Sequence, residues 1–380
     1  MTQALSLSFG PRRDASEITV QVARGDTPLF SVAFRARTGQ SLREAPEALL
    51  CLGLFAASEL GTALQIDGAP APELLARAGE ITDHFVTWWP GCRPVTVRTS
   101  GTAAPRAPVP GTGLFYSGGV DSSFSLIEAR DRVTALITLL GVDVPLSDTV
   151  ESAAMEARTR ALADKRGLEA IIIETDLRQK FHPFAGWIEM HGGALAAIGH
   201  MLSEHFGELL IAASSDLGDF TPWGSHPHLD PLFSAPALEV VHHRPHPRVE
   251  KIARVAEEGS MLPELRVCTQ TSVNCGRCPK CNFVLRTLDI LGDRARATSF
   301  PDIDPVQTPL WVSYLRHLDE AAMMRAMAER AGRDDHVAAI DAGVVAYHRR
   351  TGGPLKALQG WLKPRQRIWR HRARWRRARP

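Results

Sequence analysis

Three serine hydroxyls, one carboxylate and two glycines fall together in the run Leu114-Phe115-Tyr116-Ser117-Gly118-Gly119-Val120-Asp121-Ser122-Ser123. The apolar residues before Ser117 read as a strand, and Phe124-Ser125-Leu126-Ile127-Glu128 reads as the start of an amphipathic helix. A strand that stops at Ser-Gly-Gly and restarts as a helix leaves several backbone N–H groups without helical partners, at the end where the helix dipole adds partial positive charge. Such a turn suits a phosphate. Gly118 and Gly119 let the main chain approach an anion with no Cβ in the way, while Ser117, Ser122 and Ser123 can donate hydroxyl hydrogen bonds and Asp121 can hold magnesium. No Gly-Lys-Ser/Thr follows, so the run is not a Walker loop.

A second chemical cluster is Cys268, Cys275, Cys278 and Cys281, four of the six cysteines, spaced C-x6-C-x2-C-x2-C. Thiols this close in sequence meet in space, and Gly276 and Pro279 favour the tight turns that wrap a tetrahedral ion. Zinc is the default ligand, and a shell closed by four sulfurs implies a structural site rather than one that activates water. An iron–sulfur cluster and disulfides are the alternatives.

The first run resembles the PP-loop, S-G-G-x-D-S, of the ATP pyrophosphatases. That resemblance implies cleavage of ATP between the α and β phosphates and transfer of AMP to a substrate oxygen, with Ser117, Asp121 and Ser122 as catalytic residues and 117–123 as the cradle. The motif and the cysteine segment in this order resemble the 7-cyano-7-deazaguanine synthases (QueC), through Cys275-Gly276-Arg277-Cys278-Pro279-Lys280-Cys281 and the following Leu285-Arg286. The likeness covers about residues 111–292. It implies a parallel, doubly wound α/β sheet, ATP, Mg2+ and Zn2+ as cofactors, and activation of a carboxylate or carbonyl oxygen followed by transfer of a nucleophile, ammonia. Such proteins usually carry a Gly-Tyr-Pro-Asp-Cys-Arg type segment in the acceptor pocket. The equivalent stretch, 214–231, has no Asp-Cys-Arg, so a deazaguanine acceptor is not implied. Asp216, Asp219, Ser225, His226, His228 and Asp230 are the substrate-contact candidates there. Two other readings stand beside this one: a PP-loop sulfur transferase acting on tRNA through a persulfide on Cys51, Cys92 or a cysteine of 268–281, and a non-catalytic nucleotide-binding module.

The elements that must position these groups alternate from residue 112 onward. Strands are expected at 113–116, 134–140, 170–174 and 208–213, with helices at 122–129, 149–165 and 192–206, an order that implies a parallel sheet covered on both faces. Ligands of such sheets sit beyond the carboxyl ends of the strands, so Leu139 to Asp143 and Glu174 to Asp176 should face the nucleotide, although Asp143 and Asp176 read equally well as helix caps. Arg248, Lys251 and Arg266 are candidates for neutralising pyrophosphate. His242, His243 and His246 crowd a proline-rich stretch but match no zinc pattern.

Three regions are expected. Residues 1–108 read as an α+β unit with strands in 5–9, 18–22 and 29–34, helices over 47–64 and 72–89, and a strand at 95–97; 109–300 carries the chemistry; 301–380 is helical. The segment 361–380 holds eight Arg and one Lys and no acid, so the formal +2 of the whole chain leaves −7 for residues 1–360. With Trp361, Trp369 and Trp375 this tail is an expected contact for RNA or an anionic membrane surface, or simply a solvated end. No stretch resembles a glutaminase, so ammonia would be free or delivered by a partner. A signal peptide and a spanning segment are absent from the pattern, clustered cysteines point to a reducing compartment, and a cytoplasmic homodimer acting on a small-molecule or peptide carboxylate is expected.

Overall fold

The computed structural model describes residues 3–101, 103–214, 221–308, 310–313, 316–351 and 373. Asp216, Asp219 and all of 361–380 but residue 373 lie outside the described residues. The chain opens with an antiparallel meander β1 (Leu5–Phe9), β2 (Glu17–Arg24) and β3 (Thr27–Ala36), then helix α1 (Pro46–Leu60), β4 (Leu64–Ile66), α2 (Pro72–Trp88) and β5 (Val97–Thr99). Next come β6 (Thr112–Phe115), α3 (Val120–Glu128), β7 (Ala135–Leu140), α4 (Thr149–Arg166), β8 (Glu169–Thr175), α5 (Leu177–Phe181), α6 (Trp187–Met201), β9 (Glu208–Ala212) and β10 (Glu239–His243). Helices α7 (Arg248–Glu258), α8 (Pro279–Leu291), α9 (Arg316–Arg330) and α10 (Asp334–Thr351) complete the described chain.

The ten strands among the described residues form one mostly parallel sheet, ordered β10-β9-β6-β7-β8-β3-β2-β1-β4-β5. β6 TGLF and β7 ALITLL are almost wholly buried, as strands covered by helices on both faces must be. The parallel half steps outward from β6 through β7 to β8, then returns to the other side of β6 for β9 and β10. The strand order therefore reverses beside β6, the place where open α/β sheets leave a crevice for ligands. The chain leaves that strand into the Ser-Gly-Gly turn.

The sheet does not stop at the linker near residue 108. β3 pairs antiparallel with β8 through Phe34–Thr175, Arg35–Glu174 and Ala36–Ile173. Leu49, Leu54 and Phe34 share one apolar core with Ile137, Ile171 and Ile198. A second core on the opposite face joins Phe124 and Leu126 of α3 to Ile252 of α7, Leu285 of α8 and the buried cysteines.

The four expected strands of the parallel half appear within two residues of their expected limits; β10 is an addition, because Val240-Val241-His242-His243 among prolines has a loop composition. The helix expected at 192–206 starts at Trp187 and ends at Met201. Its internal Gly192-Gly193, which look like a helix start, instead permit close packing: a Cβ on Gly193 would stand 2.6 Å from the Cys51 carbonyl oxygen of α1. The helix expected over 47–64 ends at Leu60, where Gly61 takes a left-handed φ of 66°, and its last residues become β4. No helix among the described residues is long and apolar enough to cross a membrane.

Candidate functional site

Gly118 adopts φ +75°, a conformation that costs any residue with a Cβ, and Gly119 is the N-cap of α3. This sharp reversal turns the chain from β6 into the helix within four residues. Its hydroxyls close the turn on itself. Ser117 N–H donates to Ser122 Oγ at 3.3 Å, Gly119 N–H to Ser117 Oγ at 3.4 Å, and Ser122 Oγ–H to the Gly119 carbonyl at 3.2 Å. The Arg266 N–H fixes the Gly118 carbonyl from outside at 2.9 Å.

Asp121, in the first turn of α3, is gripped by two cations of α7: Arg248 Nη2 at 2.9 Å on one oxygen and Lys251 Nζ at 3.1 Å on the other. Burial pushes the Asp121 carboxyl up, but Arg248 and Lys251 outweigh it and hold the group below the usual carboxylate range. Lys251 is fully buried and also donates to the Ala213 carbonyl; burial draws its ammonium down and Asp121 opposes that pull.

A cavity of about 580 Å³ opens onto this turn. Ser117, Gly119, Val120 and Asp121 make one wall, and Arg248, Arg266 and Lys280 bring positive charge beside it. Asp143, Val144, Pro145 and Asp148 reach in from beyond β7, and Arg178, Trp187, Ile188 and Trp223 close the far end. Arg178 stacks over Trp187 at 5.6 Å and donates to the Val142 carbonyl at 2.7 Å. Arg266 is itself held by Glu151, a buried residue of α4 that Arg158 also pairs. Asp148 caps α4 by accepting from the Glu151 N–H at 3.0 Å.

A further wall, continuing from Arg266 beside the turn, is Val267, Cys268, Thr269, Gln270, Thr271 and Ser272. Here the four cysteine sulfurs lie within 4.8 Å of one another, with Cys268 and Cys278 3.9 Å apart, and all six cysteines of the chain are free thiols. Four sulfurs at about 2.3 Å from a central ion stand about 3.8 Å from each other, so the spacing fits a tetrahedral ion. Three main-chain N–H groups point at sulfur: Gln270 at Cys268, Cys278 at Cys275 and Cys281 at Cys278, at 3.2–3.4 Å. Donors aimed at sulfur suit thiolates. This group could hold a metal ion such as zinc.

Of the expected nucleotide contacts, Ser117, Gly119, Val120, Asp121 and Asp143 line the cavity. Gly118 lies behind the wall, where its conformation rather than a contact makes the turn. Ser122 and Ser123 are buried beneath it, the former bonded within the turn, and Leu139 packs against the core instead of facing the cavity. Asp176 accepts from the Ala33 N–H at 2.9 Å and so ties β3 to the start of α5. Arg248 and Arg266 line the cavity, whereas Lys251 sits under Asp121.

Ser225, His226, His228 and Asp230 do not line it. Asp230 is fully buried and engaged by Ser225 Oγ at 2.6 Å, the His226 N–H at 3.2 Å and His242 Nδ1 at 2.7 Å. His226 packs on Trp88 of α2. These residues stitch the loop after β9 to the molecule. Arg178, Trp187, Trp223 and Lys280 are the wall residues that sequence reasoning passed over. For Arg178 a signal existed, its place three residues past β8, at a strand's carboxyl end.

No protein-family model matches the chain, and neither a curated protein nor a solved structure does.

Proposed function

We propose that this chain uses ATP to activate a carboxylate or carbonyl oxygen, releasing pyrophosphate, and passes the activated carbon to a nucleophile, ammonia in the simplest case. One observation carries the reading. A strand–turn–helix with left-handed Gly118 stands where the strand order reverses and opens onto a cavity flanked by Arg248, Arg266 and Lys280. Main-chain N–H groups at the start of α3 and three cations supply fixed positive charge for the triphosphate, in the place where such charge lowers the barrier to nucleotidyl transfer. The serine bonds inside the turn, at 3.2–3.4 Å, are long enough for a phosphate oxygen to take over their donors.

In the proposed reaction the substrate oxygen attacks the α-phosphorus, the α–β bridging bond breaks, and its electron pair leaves on pyrophosphate. The nucleophile then displaces AMP from the activated carbon. Asp121 is assigned the task of holding Arg248 and Lys251, since both of its oxygens are engaged by them. A magnesium ion does not fit Asp121 in this arrangement, because a cation already occupies each carboxylate oxygen. The far end of the cavity, with Arg178 stacked on Trp187 and Trp223 beside them, is where the acceptor would lie.

The test is incubation with ATP and a panel of carboxylates, with AMP and pyrophosphate measured. Ser122→Ala and Asp121→Ala should abolish AMP release; full activity in either, or orthophosphate as the sole product from the wild type, overturns the reading. ATP bound without AMP release would favour a binding module. The placement of Cys268 in the cavity wall is the one observation that favours sulfur transfer to RNA. A colourless protein with tightly held zinc and no RNA affinity would remove that reading.

A further inference from the structure

We propose that the C-terminal pair of helices, α9 and α10, is a working part of the anion site, with Glu320 of α9 as the positioning residue for Arg248 and Lys251. This rests on the anion-binding role given above to the cavity. Helix α7, which carries both cations, begins after Pro247, a residue with no side chain able to cap a helix, and no cap bond comes from that position. The orphan donors of its first turn are taken from elsewhere. Glu320 Oε1 accepts from the Arg248 N–H at 2.7 Å and Glu320 Oε2 from the Val249 N–H at 3.1 Å. A carboxylate with one oxygen on each of two adjacent N–H groups fixes both the position and the rotation of that turn, and its charge complements the helix dipole.

Arg248 and Lys251 are three residues apart, so they leave α7 on one face and both reach Asp121. The chain of contact therefore runs from α9 through the first turn of α7 to the first turn of α3, which is the phosphate turn itself. Negative and positive groups alternate along it: Glu320, the two cations, then Asp121.

Glu320 is not needed to dock the two helices. Arg333, between them, binds the Asp289 carboxylate of α8 at 2.7 Å, and His336 binds the same carboxylate at 2.7 Å. Arg325 of α9 pairs with Asp341 of α10 at 2.8 Å. Met324 and Ala328 of α9 share an apolar cluster with Ile340 and Tyr347 of α10 and with Val249 and Ile290. Loss of Glu320 should thus leave the helices in place and free the α7 turn.

The experiment uses the full chain and inorganic pyrophosphate, titrated by calorimetry beside thermal melting. Glu320→Ala should weaken pyrophosphate binding about tenfold, as loss of a doubly bonded cap would. Glu320→Gln keeps one acceptor oxygen and should fall between, which also serves if the alanine variant does not fold. Arg325→Ala loosens α9 against α10 without touching α7 and should stay within about twofold of wild type. Wild-type affinity in Glu320→Ala, or an equal loss in Arg325→Ala at a similar melting temperature, overturns the proposal alone. A wild type that does not bind pyrophosphate removes the anion site and the proposal with it.

Discussion

Two walls of the cavity are built on opposite plans. The turn wall, Ser117 to Asp121, is held by redundant means: serine hydroxyls within the turn, the Arg266 main chain, two α7 cations and the sheet behind it. The cysteine wall, 267–272, belongs to neither helix nor strand, and it is gathered by four sulfurs at one point and by buried Asn274, which accepts from the Val267 and Cys268 N–H groups. One wall is preorganised by the fold; the other leans on its sulfur cluster and a single asparagine. A site assembled this way should lose the second wall first.

With zinc held by the four cysteines, the largest effect should follow its removal. Stripping the protein with a chelator, or Cys278→Ser, should cost more than about 4 kcal/mol of stability, since zinc binding free energy is folding free energy where the site is not otherwise held. Melting temperature and metal content measured together check this, and an unchanged melt after complete metal loss would put the two walls on an equal footing.

Next in size is Asp121→Ala, which leaves Lys251 buried without its carboxylate. Breaking a buried ion pair from one side costs about 3–5 kcal/mol, read from denaturant unfolding. Asp121→Asn should cost less, because it keeps an acceptor for Lys251.

Acid should act on the turn wall through a neighbour. His243, at the end of β10, is nearly excluded from solvent, and burial, with Arg132, Arg244 and Lys251 around it, pulls its imidazole down to about 4. The unfolded chain takes up this proton near pH 6.5, before the folded chain does. Stability from this residue is therefore full above about pH 6.5 and is lost as pH falls towards 4, by about 3 kcal/mol in all. His243→Leu should flatten that part of the stability–pH curve; a slope unchanged in the variant would assign it to other groups.

The smallest effect on stability is expected for Gly118→Ala, about 1–2 kcal/mol for forcing a Cβ into a left-handed turn. Nothing crowds the site, the nearest atom being Arg266 Cβ at 3.8 Å from the added carbon, so strain alone should set the cost. Melting with and without ATP separates that strain from lost binding.

The motifs behind both walls were legible in the sequence because each is contiguous: seven residues in 117–123 and fourteen in 268–281, with spacing that chemistry alone can read. The parallel strands were legible because their apolar runs are short and bounded by turn residues. What pattern could not supply is convergence. Arg178, Trp187, Trp223 and Lys280 come from four separate segments and look like ordinary surface residues until the sheet brings their segments to one end. The histidines differ in the other direction. His226 and His228 resemble site residues by type, yet burial of Asp230 draws their loop into the protein's own framework. Glu320 could not have been found at all, since its partners are main-chain N–H groups 71 and 72 positions away.

The three-residue seam between β3 and β8 has a consequence for anyone who would divide this molecule. Severed near residue 108, the second piece would present β8 as a bare strand border, and the first would lose the helix that covers α1. Each fragment would then carry a sticky margin inviting self-association. The proline-rich stretch before β6 is thus a hinge in the reading of the chain but a poor place for scissors.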